Sequence, residues 1–125
     1  MPQQLNEFTD ELTRLLPSEA LLLSAEARRP YECDGLTGYR ELPAMVALPQ
    51  TLDQVREILR LCQQHQVPLV ARGAGTGLSG GATPHSQGVL LSLARFGRII
   101  EIDPQARTAR VQPGVRNLAI SEAVA

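Results

Sequence analysis

Apolar positions recur along this chain with two different spacings, and the changes between them mark out its elements. Leu5, Phe8, Leu12 and Leu15 fall on one face of a helix over residues 4–16, and Pro17 stops the pattern. Residues 18–43 keep no period. A leucine run, Arg28-Arg29 and Pro30-Tyr31-Glu32-Cys33-Asp34-Gly35 follow one another, which predicts mostly irregular structure, with Arg28, Arg29 and Tyr31 on a solvated connection or, as the alternative, reaching a substrate or cofactor. The unbroken apolar run 44–48, closed by Pro49, predicts a buried strand. Thr51 and Gln54 then have capping-box spacing, and Leu52, Val55, Ile58, Leu59 and Cys62 form a helical stripe that ends before Pro68. Further strands are expected at 67–71, 89–93 and 99–102. Asp103-Pro104-Gln105-Ala106 has the residue placement of a type I turn leading into an alternating segment at 108–112, so the last two strands form a hairpin. Pro113-Gly114-Val115 ends it, and 117–124 reads as a helix.

Strand, helix and strand in succession imply a parallel crossover, so a loop leaving the second strand stands at the carboxyl end of a sheet, where open α/β sheets bind ligands. The loop found there is A-R-G-A-G-T-G-L-S-G-G-A, residues 71–82, with five glycines in nine residues. Glycine lacks a Cβ, so successive N–H groups can turn into one concavity and approach an anion closely. Arg72 stands at its start, either to compensate charge or to brace the loop through carbonyls. Thr76 and Ser79 supply hydroxyl donors. Gly75, Gly77 and Gly80 match the dinucleotide fingerprint, with Glu101 near the place of its ribose-binding acid. The fingerprint has to open a helix, however, and Thr83-Pro84 leads instead toward another apolar run. A Walker A loop is also excluded, because Gly81 and Ala82 occupy the positions of its lysine and hydroxyl residue.

These residues, V-P-L-V-A-R-G-A-G-T-G-L-S-G-G-A together with M-V-A-L-P-Q-T and V-Q-P-G-V, resemble the pyrophosphate-binding region of FAD-dependent oxidoreductases of the vanillyl-alcohol oxidase/p-cresol methylhydroxylase (PCMH-type) superfamily. Within it they are most similar to the branch of bacterial glycolate oxidase D subunits and FAD-linked D-lactate dehydrogenases. The resemblance implies an α+β fold, with an N-terminal helix and lead-in over 1–43 and the first α/β part of a PCMH-type FAD-binding domain over 44–125. It implies that Gly73, Ala74, Gly75, Thr76, Gly77, Ser79, Gly80 and Gly81 cradle the FAD pyrophosphate behind Arg72. Pro113, Gly114 and Val115 are then expected near the adenosine half, with Gly114 permitting close approach; a plain strand-ending turn is the alternative. The implied reaction is oxidation of a D-2-hydroxy acid such as glycolate or D-lactate. An alcohol oxidase or ether-lipid synthase of the same fold, or a non-redox nucleotide-binding or subunit-interaction module, are the alternatives. Some members of the superfamily carry a flavin-linking histidine where Thr76 stands, so non-covalent FAD is expected. Catalytic residues are expected outside these 125 residues, which are few for a complete FAD enzyme.

Composition narrows the partners. A net charge of −1 with 3% aromatic residues gives neither the electrostatic footprint nor the stacking platforms of a nucleic-acid binder. Cys33 and Cys62 are too few for a disulfide framework and read as free thiols of a reducing compartment; Cys62, on the helical stripe, is expected in the core. No metal site is expected: His65 lies at a helix end, facing its last carbonyls or water, without a second ligand at useful spacing, and His85 lies in an exposed loop. A cytoplasmic protein is expected, with association to a membrane only through partner subunits of an oxidase complex.

Overall fold

The computed structural model describes residues 3–125. Helix α1 (Gln3–Leu15) buries Leu5, Phe8 and Leu12, and Leu16 just beyond it is buried as well, while Leu15 is only partly covered. The lead-in is more regular than its pattern predicts. A turn of 3-10 helix at Ser18–Ala20 runs into the two-residue strand β1 (Leu21–Leu22), followed by the short helix α2 (Ala25–Arg28) and another 3-10 turn at Arg29–Tyr31. Strand β2 (Met45–Ala47) precedes α3 (Leu52–His65). The expected capping box is present there: Thr51 Oγ1 accepts from the Gln54 N–H at 3.2 Å, and the Gln54 side chain accepts from the Thr51 N–H at 3.4 Å. Gln66 closes the helix in the left-handed region, φ 53°. Strands β3 (Leu69–Arg72) and β4 (Val89–Ser92) follow, then the hairpin β5 (Ile99–Asp103) and β6 (Thr108–Val111), and finally α4 (Asn117–Val124).

The first four strands make one sheet in the order β1-β2-β4-β3, with β1 antiparallel to β2 and the other pairs parallel. The β2–α3–β3 crossover is therefore parallel, but β4 inserts between its two strands. No helix joins β3 to β4; residues 73–88 do so as a loop, which leaves room for the glycine-rich stretch. Both faces of the sheet are covered. Met45, Ala47, Val89 and Leu91 pack with Phe8, Leu12 and Ile58 of the two long helices, whereas Val46, Leu48 and Leu90 pack on the other side with Leu22, Tyr31 and Val70. This alternation is the two-residue period of a strand buried on both faces, which shows in sequence as an unbroken apolar run.

His65 differs from expectation. Its Nε2 lies 3.0 Å from Glu11 Oε1 and its ring meets Phe8 edge-on at 5.8 Å, so it ties the end of α3 to α1 rather than turning to its own carbonyls. In the hairpin, Asp103 Oδ1 accepts from the N–H groups of Gln105 and Ala106, each at 3.0 Å, which makes the turn read from sequence. The two strands form a sheet of their own, and α4 buries none of its residues.

Candidate functional site

The glycine-rich loop leaves the carboxyl end of β3, and its shape rests on a few contacts. Gly75 has φ +72° and Gly80 φ +75°, the left-handed region that side chains disfavour. At Gly75 an added Cβ would also lie 2.2 Å from the Arg72 guanidinium, which occupies the space beneath it. Arg72 braces the loop. Its Nη1 donates to Cys33 O at 2.8 Å, its Nη2 lies 3.5 Å from Ala74 O, and its Cζ stands 5.3 Å from the centre of the Tyr31 ring. The hydrogen-bond network of the described residues gives no protein acceptor to any N–H from Gly73 to Ala82, so the loop offers a run of free backbone donors. At Gly73, Gly77 and Gly81 a Cβ would meet no protein atom within 4 Å. Among the described residues nothing demands glycine at these three positions.

A cleft of about 740 Å³ joins this loop to the end of the hairpin. Arg72, Gly73, Ala74 and Thr76 line it from the loop. Pro113, Gly114 and Val115 line it from the hairpin's exit, together with Arg116 and Asn117 at the start of α4. Tyr31, Ser92 and Ala94 complete the lining. The structure thus brings together the two stretches that the sequence marked separately. Gly75, Gly77, Ser79, Gly80 and Gly81 lie on the same loop but not on the lining of this cleft. Arg72 and Arg116 are its charged side chains and no carboxylate is among the lining residues, a balance that suits an anionic ligand.

For Tyr31 the sequence favours a solvated connection over a reach to a ligand, yet it lines the cleft, half-buried beside Arg72. Sequence reasoning passed over Gly35, whose N–H donates to Gly77 O at 2.8 Å. An Asp-Gly pair is a turn signal, and that was the available clue. Gly114 does allow a close approach, but to protein: an added Cβ would lie 2.6, 2.7 and 2.9 Å from the backbone oxygens of Leu93, Phe96 and Ala94. Its N–H donates to Phe96 O at 2.8 Å, and Val115 N–H closes a turn onto Gln112 O at 3.1 Å. Cys62 is a core residue whose thiol burial pushes up to about 11, which removes it as a nucleophile. Exposed His85 accepts from Gln87 N–H at 3.1 Å and does not line the cleft. Among the described residues no cluster of side chains has the makings of a metal site, and no helix is long and apolar enough to cross a membrane.

A family model described as FAD binding domain matches residues 43–125. The chain is 57% identical over 110 residues to the glycolate oxidase subunit GlcD of Escherichia coli strain K12, covering 88% of this chain and 22% of that protein. It is 40% identical over 101 residues to the subunit of the same name from Bacillus subtilis strain 168, covering 81% of this chain and 22% of the relative. The chain therefore spans about a fifth of the length of these relatives. Among solved structures, 4-ethylphenol oxidase from Gulosibacter chungangensis, in an isoeugenol complex, superimposes with a TM-score of 0.87 at 26% identity, covering 99% of this chain and 25% of the other.

Proposed function

The chain belongs to the FAD binding domain family, and from that premise we propose that it is the cofactor-gripping portion of an FAD-dependent oxidoreductase that converts a small D-2-hydroxy acid, such as glycolate or D-lactate, to its 2-oxo acid. The observation that carries this is the run of unpartnered N–H groups from Gly73 to Ala82 beside a carboxylate-free cleft with two arginines. Backbone donors that need no rearrangement on binding make short, charge-assisted hydrogen bonds to a diphosphate. In this reading the amides of Gly73, Ala74, Gly75, Thr76 and Gly77, with Ser79, Gly80 and Gly81 on the far limb, hold the pyrophosphate. Arg72 keeps the loop in shape from below. Pro113, Gly114 and Val115 border the adenosine half, with Gly114 fixing that segment against the β4–β5 connection rather than against the cofactor.

When bound, FAD supplies the two-electron chemistry by accepting hydride from the substrate α-carbon. Thr76 has no ring nitrogen with which to attach it covalently, so this loop holds FAD through its backbone donors. The choice of a hydroxy-acid substrate is supported by the name of the two curated relatives, and their description as subunits supports partner chains in an oxidase complex. The two free thiols, Cys33 and Cys62, support a reducing, cytoplasmic setting.

Visible absorbance of the purified full-length protein is the test. The expected result is an oxidised-flavin spectrum that bleaches anaerobically with glycolate or D-lactate. A colourless protein that takes up no added FAD overturns the reading, and flavin that no hydroxy acid reduces overturns the substrate class. Gly75→Val, which collides with Arg72 and forces a branched residue to φ +72°, is expected to abolish flavin retention while leaving far-ultraviolet circular dichroism near the parent's.

A further inference from the structure

Against the glycine-rich loop lies the turn at residues 34–36 of the lead-in. Asp34 is only 4% exposed. Its Oδ1 accepts from the Leu36 N–H at 2.8 Å, an Asx turn that fixes the peptide of Gly35. Its other oxygen, Oδ2, is buried without a hydrogen-bond partner among the described residues. Leaving a carboxylate oxygen buried and unpaired is expensive, so a residue that does so is being held in place for something else. From this turn the Gly35 N–H donates to Gly77 O at 2.8 Å, and a Cβ on Gly35 would stand 2.8 Å from both Thr76 O and Gly77 O. Next door, Cys33 O accepts the Arg72 guanidinium at 2.8 Å.

The peptide bonds here are trans, and in a trans peptide the N–H points opposite to the carbonyl of the preceding residue. Drawing Thr76 O and Gly77 O toward Gly35 therefore turns the N–H groups of Gly77 and Leu78 the other way, into the set of free donors. We infer that the buried Asp34–Leu36 turn is a positioning element of the cofactor site: it bonds the Gly77 carbonyl, packs against that of Thr76, and so aims the Gly77 and Leu78 N–H groups at the diphosphate. The inference rests on the flavin-binding reading and goes beyond it, since it assigns a cofactor-affinity role to residues outside the glycine-rich loop. Asp34 and Gly35 act through the loop and touch no cofactor atom themselves.

Three variants of the full-length protein test this, each titrated as apoprotein with FAD and followed by amide hydrogen exchange. Asp34→Ala removes the turn acceptor, and Gly35→Ala pushes the two carbonyls away. Each is expected to weaken FAD by about tenfold or more, as loss of aim at one or two charge-assisted donors should. Asp34→Asn keeps an Oδ1 acceptor for Leu36 and is expected to restore most of the affinity. FAD should protect the Gly77 and Leu78 amides from exchange in the parent and in Asp34→Asn, and fail to do so in the other two, with apoprotein Tm close to parental in the two Asp34 variants. A parent that takes up no FAD overturns the functional reading itself. A flavin-binding parent whose Asp34→Ala and Gly35→Ala variants bind as tightly, or protect Gly77 and Leu78 as well, overturns this inference alone. If Asp34→Ala lowers Tm and affinity together and Asp34→Asn rescues neither, the turn only supports the fold, and the inference is likewise overturned.

Discussion

Strands β4 and β6 each have four residues, but every residue of β4 is buried and three of the four in β6 are exposed. The same contrast runs through the halves of the molecule that contain them. Around β4 the sheet is covered on both faces, by the two long helices on one side and by the lead-in on the other. Around β6 there is a two-stranded sheet and a helix with no buried residue, with Ile100, Leu118 and Val124 left substantially exposed. Apolar content does not explain the difference; position does. A strand between two parallel neighbours buries both faces, and within these 125 residues, about a fifth of the length of the relatives matched, the hairpin has little to bury against. The proposed site takes its glycine-rich loop from the firm half and Pro113–Val115 from the loose one. Its cleft is therefore as well defined as the seam where Gly114 meets the carbonyls of Leu93, Ala94 and Phe96.

The firm half is broken most directly at Ile58, fully buried on α3 within the main core cluster. Ile58→Ala is expected to destabilise the fold by about 3 kcal/mol, through lost burial and the cavity left behind. The midpoint of a urea unfolding curve checks this, and a shift worth less than 1 kcal/mol by the same approximate scale would mean that the core does not carry the stability. The seam comes next. Gly114→Ala sets a Cβ against three backbone oxygens that have no side-chain freedom with which to yield, for a cost of about 2 kcal/mol. If the halves differ as described, the loss is local: amide exchange should quicken in β5, β6 and α4 while β2 and β4 keep their protection. Uniform quickening would show instead that the two halves unfold as one unit.

How much of this was legible in the sequence follows the range of the interactions involved. The capping box of α3 and the Asp103 turn are local, and both were read from a few adjacent residues. The glycine-rich loop was legible for the same reason, since positive φ at Gly75 and Gly80 is a property of the loop itself. Strand β1 was not, because two leucines become a strand only through pairing with β2, some twenty-five residues away. Nor was the insertion of β4 between β2 and β3, which sequence order cannot express. At the site, close approach at Gly114 was anticipated but its partner was not: glycine announces that something comes near, not whether it is cofactor or carbonyl. Gly35 was passed over because its partner, Gly77 O, lies across the fold, and half-buried Tyr31 took its place in the cleft through a contact with Arg72.

The smallest expected effect is also the sharpest check on the contrast. Leu118 of α4 is 67% exposed, more than a leucine in any packed helix of the firm half, where Leu12 is 0% exposed. In the 125-residue chain, Leu118→Ser removes almost no burial, so only helix propensity and minor contacts are at stake, and unfolding free energy should change by about 0.5 kcal/mol or less. Leu12→Ser, chemically the same change, places a hydroxyl without a partner into the core and should cost several times as much. Paired urea curves on the two variants compare the halves with the side chain held constant. Were Leu118→Ser to prove as damaging as Leu12→Ser, α4 would be packed in solution, and the cleft it borders would be fixed from both sides rather than one.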